Sequence, residues 1–194
     1  MAIALTIEHG PHEGLSRPEL VRRIKAMIRL LQLNKAEVSF VLTDDKSIHQ
    51  LNKIYRGKDR PTDVLAFAMH EGEFGALAGR VLGDVIVSVP TARKQALSGR
   101  TPVLEEVTML LAHGLLHLLG WDHETAAKDR RMRAETARLV AAAAPGSSAS
   151  VPGGARSKGG AAQALSRKHS RAVPSRAAGK TNDLGGVKAR LSGK

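Results

Sequence analysis

His113, His117 and His123 fall within the run HGLLHLLGWDH, three imidazoles at a spacing that one helix and one turn can bring to a single ion. At about 3.6 residues per turn, His113 and His117 lie one above the other on the same helix face. His123 would sit roughly 120° off that face if the helix ran on. Gly120 lies between them, where a helix can end in a left-handed cap and swing the chain back. Three neutral imidazoles around a zinc-type ion, with a fourth position left for water, form the donor set of a catalytic site rather than a closed structural one. Such an ion lowers the pKa of its water and polarises a phosphoryl oxygen, and both effects suit phosphodiester cleavage. Taken singly, each histidine is more often a hydrogen-bonded core or surface residue. The joint spacing is what points to metal.

The pattern His-x3-His-x2-Gly-x2-His resembles that of the metzincin peptidases, which carry Glu directly after the first histidine as general base. Here that position is Gly114, which cannot accept a proton. The whole run resembles instead the signature of the YbeY family, bacterial single-strand-specific metallo-endoribonucleases. Two further blocks carry the same resemblance: LNKIYRGKDRPTDVLAF, from Leu51 to Phe67, and the Gly-Asp strand LGDVIVSV, from Leu82 to Val89. Ala66 and Ala68 stand where the family more often has Ser and Pro. The similarity covers roughly residues 1–142 and nothing beyond about Pro145.

That resemblance implies an endoribonuclease of 16S rRNA 3′-end maturation and ribosome quality control. It implies one zinc ion, or another divalent transition metal, held by His113, His117 and His123. Its partners would be single-stranded RNA, the 16S rRNA precursor, the small ribosomal subunit and ribosome-associated proteins. His113 and Arg56 would be the catalytic residues, since YRGKDRP puts Arg56 on the family's functional arginine. A guanidinium is always charged and grips phosphate through paired hydrogen bonds. Without the family, an arginine between a helix end and a loop is usually a surface charge. Lys53, Lys58 and Arg60 extend either a basic rim for RNA or a solvated surface. Asp122 either orients a ligand imidazole or caps the next helix. Asp84 either supports the site or is a polar strand residue. Trp121 either packs or stacks on a base. Met132 reads as helix core, and His9, His12, His49, His70 and His169 have no ligand spacing to the cluster. Two rival readings remain: a metalloprotease-like hydrolase, against which Gly114 argues, and a non-enzymatic ribosome-assembly factor with a structural metal.

The rest of the chain must position these groups. Residues 1–144 hold 20 Lys+Arg against 17 Asp+Glu, while residues 145–194 hold 10 against 1. The first segment carries the periodic apolar sequence of a folded domain. The second is Gly, Ala, Ser, Pro and scattered bases, and it reads as a disordered tail that is either inert or an electrostatic tether for RNA. There is no cysteine, so disulfides and thiolate metal sites are excluded. The first residues lack the pattern of a signal peptide, and the apolar run around Val107 to Trp121 is too short and interrupted for a membrane span, so a cytoplasmic protein is expected.

Strands are expected at Ile3–Ile7, Val38–Leu42, Val64–Ala68 and Val85–Val89. Helices are expected over Arg17–Leu33, after a cap at Asp44 or Asp45, from Pro90 to about Leu97, from Pro102 to the histidines, and over Glu124–Ala142. This pattern makes a single α+β domain: a mixed sheet of about four strands covered by about five helices, carrying a zincin-like histidine site.

Overall fold

The structure, a computed structural model, describes residues 2–69 and 79–146. The expected disordered tail lies outside these residues beyond Gly146, as do His70 and His169. The described residues form four strands and five helices, in the order β1 (Ala2–Ile7), α1 (Arg17–Leu30), β2 (Glu37–Thr43), α2 (Asp45–Arg56), β3 (Val64–Ala68), β4 (Val81–Ser88), α3 (Val89–Gly99), α4 (Val103–Leu118) and α5 (Ala126–Ala143). The architecture is the α+β domain expected, with a mixed sheet.

The sheet runs β1-β2-β4-β3. β1, β2 and β4 are parallel, and β3 joins β4 antiparallel as an outer strand. Alternate residues of β2 and β4, including Val38, Phe40, Leu42, Val85 and Val87, are buried in the core with Leu111 and Leu115 of α4, Ile24 and Met27 of α1, and Met132 and Leu139 of α5. Helix α2 lies against β3 and β4, where Tyr55 meets Phe67 edge to face at 5.1 Å.

Helix α4 is apolar on nearly every side, and it sits tight on β3 and β4. Gly114 makes that fit. A Cβ there would collide with Val85 Cγ1 and approach Val64 Cγ2 to 3.3 Å. Arg23, 2% exposed, fastens α1 to α4: its guanidinium donates to Glu19 at 3.0 Å, Thr108 at 3.1 Å and Glu105 at 2.7 Å.

Some boundaries differ from expectation for local reasons. Helix α1 stops at Leu30, because Gln32 takes a left-handed conformation. β4 starts at Val81, and Val89 belongs to α3, whose first turn is capped by the Ser88 hydroxyl accepting from Thr91 N–H at 3.3 Å. Asp44, not Asp45, caps α2, accepting from Ser47 N–H at 2.8 Å. Thr125 caps α5, so that helix begins at Ala126.

Candidate metal centre and its cleft

His113 and His117 occupy the last turns of α4. Beyond Leu118 the helix closes with two bonds, from Gly120 N–H to the His117 carbonyl at 2.9 Å and from Trp121 N–H to the Leu116 carbonyl at 3.1 Å. This is the Schellman pattern, and it needs the left-handed residue that Gly120 supplies at φ 79°. The reversal returns His123 to the other two. Ring centroids are separated by 4.7, 5.4 and 5.9 Å, and one ligand-capable nitrogen from each ring lies within 4.8 Å of the others.

The geometry fits an ion. The Nε2 atoms of His113 and His117 are 3.2 Å apart. Two nitrogens about 2.0–2.1 Å from a tetrahedral centre must stand roughly 3.3 Å apart. The Nδ1 of His117 donates to the Trp121 carbonyl at 2.9 Å, which leaves the Nε2 lone pair for the cluster. Burial, reinforced by His117 and His123, pushes the His113 pKa below its ordinary value and favours the neutral ligating form. His113 and His117 are half-buried and His123 is exposed, so the cluster opens to solvent on one side.

It opens into a cleft of about 620 Å³. The histidines, Trp121 and Asp122 line it together with Arg56, Lys58, Arg60 and residues of β3. The exposed Arg56 donates through Nη2 to the Ala66 carbonyl at 3.0 Å, so a cation from α2 is tied to the strand beside the histidines. Lys53 is not among the lining residues; it pairs with Asp59 at 2.8 Å.

Asp122 accepts from Glu124 N–H at 3.2 Å and from Lys128 Nζ at 2.8 Å, and these hold its carboxyl below the usual range. Its cap role passes to Thr125. Asp84 pairs with Phe67 across β4 and β3, on the sheet face opposite Val85 and α4, so it does not join the histidines. His12 and His49 bond elsewhere, to the Glu8 carbonyl and Asp59, and His9 lies 3.8 Å from Asp44.

Two supporting residues escaped the sequence reading. Buried Asn52 donates to the Arg60 carbonyl at 2.7 Å, shaping the loop that presents Lys58 and Arg60. The only signal was a polar residue one helical turn after buried Ile48. Asp63 accepts from Thr62, Val64 N–H and Gln95, fixing the start of β3.

Comparison with known proteins agrees with this architecture. The family profile described as Endoribonuclease YbeY matches residues 13–144. The chain is 41% identical over 125 residues to the Endoribonuclease YbeY of Syntrophus aciditrophicus, covering 64% of this chain and 78% of that one. It is 39% identical over 143 residues to that of Geobacter metallireducens, covering 73% and 95%. A Thermotoga maritima protein solved in solution superposes with a TM-score of 0.53 at 25% identity, over 73% of this chain and 88% of that one.

Proposed function

The chain belongs to the YbeY endoribonuclease family, and from that membership we propose that it is a zinc-dependent endoribonuclease of single-stranded RNA acting in 16S rRNA 3′-end maturation and ribosome quality control. The observation that carries this reading is the pairing, across one cleft, of a three-imidazole cluster with an exposed guanidinium. The precursor rRNA, the small ribosomal subunit and ribosome-associated proteins are its proposed partners, and the cytoplasm its proposed place. No helix among the described residues is long and apolar enough to cross a membrane.

His113, His117 and His123 are the proposed ligands. Lewis acidity towards a phosphoryl oxygen is the chemistry such an ion supplies. Arg56 keeps guanidinium nitrogens beyond the one bonded to Ala66, and these can grip a phosphodiester and stabilise the charge that builds on it. His113, neutral and half-buried, is proposed to be both ligand and catalytic residue. RNA also brings its own nucleophile, the 2′-hydroxyl, so the absence of a glutamate at position 114 does not disable this chemistry. It does count against peptide hydrolysis, because the close packing at Gly114 leaves a glutamate no room.

Cleavage of a labelled single-stranded RNA by the wild type and by Arg56→Glu, with the metal content of each measured, tests the reading. Cleavage by the metal-loaded wild type alone is the expected result. Equal activity in both would mean that Arg56 is dispensable or the cleavage a contaminant's, and no activity in either moves a non-catalytic assembly factor ahead.

A further inference from the structure

Among the described residues β3 is an outer strand of the sheet with its far edge unpaired, and the strand lines part of the cleft. Ser88 N–H bonds to the Asp63 carbonyl, and Met69 N–H bonds to the Leu82 carbonyl. With the antiparallel register, these bonds place the backbone groups of residues 63, 65, 67 and 69 towards β4. The groups of Val64, Ala66 and Ala68 therefore point outward. Two of them are occupied: Val64 N–H by the Asp63 carboxylate and the Ala66 carbonyl by Arg56. The Val64 carbonyl, the Ala66 N–H and both polar groups of Ala68 have no hydrogen-bond partner among the described residues.

An open edge beside a cleft takes hydrogen-bonding partners. The charges say which kind. Arg56, Lys58 and Arg60 line the cleft, and no carboxylate pairs with them among the described residues, whereas Lys53 just outside is neutralised by Asp59. Of the three acids in the same cleft, Asp63 is spent on Thr62, Val64 and Gln95, while Asp122 and Glu124 both face Lys128, at 2.8 and 3.8 Å. A polyanion matches this balance better than a peptide does. Outward groups recur every second residue, about 6.8 Å apart along the strand. That is twice the roughly 3.4 Å rise of stacked bases, so successive groups meet successive bases only of an extended, unstacked strand.

We propose that the free edge of β3 reads nucleobases: the Val64 carbonyl, Ala66 N–H and Ala68 N–H bond the base edges of an extended RNA whose phosphates face Arg56, Lys58 and Arg60. The inference rests on the ribonuclease reading and extends it. It supplies a physical cause for single-strand selectivity, because in a duplex those base edges are already paired and the bases stacked. The small side chains of Ala66 and Ala68 leave the approach open.

The test measures binding by the full-length protein of a labelled single strand of about ten nucleotides and of the same strand with abasic positions. Ala66→Pro and Ala68→Pro are each compared with the wild type. Proline at these two positions removes an outward donor without breaking a bond to β4, and outer strands tolerate it there. The wild type is expected to bind the intact strand about tenfold more tightly than the abasic one, and the proline variants to lose most of that preference. Equal binding of both strands by the wild type would overturn base reading while leaving a nuclease that holds phosphates. Full discrimination in both folded proline variants would also overturn it. No binding of either strand would sink the ribonuclease reading with it. An extended peptide that displaces RNA from the wild type but not from Ala66→Pro, without base preference, would assign the edge to protein instead.

Discussion

His117 donates its Nδ1 proton to the carbonyl of Trp121, four residues on, at 2.9 Å. One bond therefore sets the tautomer of a central imidazole and also anchors the turn that delivers His123. The partner is a backbone oxygen, so the orientation survives substitution of the Trp121 side chain provided the turn keeps its shape.

Removing a ring from this cluster separates ligand from scaffold. His113→Ala and His117→Ala are each expected to lower metal affinity by more than the ten- to hundred-fold typical of an outer hydrogen-bond partner, and to abolish cleavage. Helix α4 is held by an apolar core that includes Phe40, Leu111 and Leu115, all fully buried, so chelation should leave the circular dichroism spectrum intact. A structural ion would take the fold with it. Metal content, cleavage and a thermal melt on the same samples decide the matter, and an active metal-free mutant would rule the site out.

Gly114 offers a test in which two effects oppose each other. In an exposed helix, alanine would gain about 1 kcal/mol over glycine. Here the added methyl meets Val85 and Val64, and overpacking of a filled core costs about 1–3 kcal/mol. Gly114→Ala is therefore expected to lower the melting temperature, and Gly114→Glu to do so more severely without yielding a peptidase. A stabilised Gly114→Ala protein would show that α4 does not lie as close to the sheet as described.

Legibility followed the kind of interaction. The histidine cluster was readable because helical periodicity and a left-handed glycine are side-chain properties that survive in one dimension. The strands of the sheet were readable for the same reason, from alternation at residues such as Val38, Phe40 and Leu42. What depended on backbone was not. The Trp121 carbonyl on His117, the Asn52 amide on the Arg60 carbonyl and the free edge of β3 leave no mark on residue type. Asp122 and Thr125 both look like caps, and only the position of the turn selects Thr125.

Acid should weaken the ion pairs within α1 and the one that ties α1 to α4. Arg22, with Arg23, holds the Glu19 carboxyl down to about 2 from an ordinary 4.5. A depressed folded-state pKa adds stability that is fully present above about 4.5 and is lost as the pH falls towards about 2. Glu105, also lowered by Arg23, works in the same direction. Urea melts at intervals from pH 6 to pH 2 should show the midpoint falling across that window, and Glu19→Gln should flatten the fall. An unchanged slope in Glu19→Gln would assign the acid sensitivity elsewhere.

The basic segment from residue 145 onward carries 10 Lys+Arg against 1 Asp+Glu, and its part in RNA binding can be measured through salt. Each phosphate neutralised on a single strand contributes about −0.7 to the slope of log affinity against log salt. If the segment tethers RNA, deleting residues 145–194 should flatten that slope by several units and weaken binding most at low salt. The core that buries Leu111, Met132 and Leu139 lies before the deletion, so the melting temperature should hold. Cleavage of a short strand that only fills the cleft should fall far less than capture of a long one, because the groups proposed to be catalytic stay in place. An unchanged slope would make the segment a bystander to RNA, and a collapsed melting temperature would mean that it contributes to the fold.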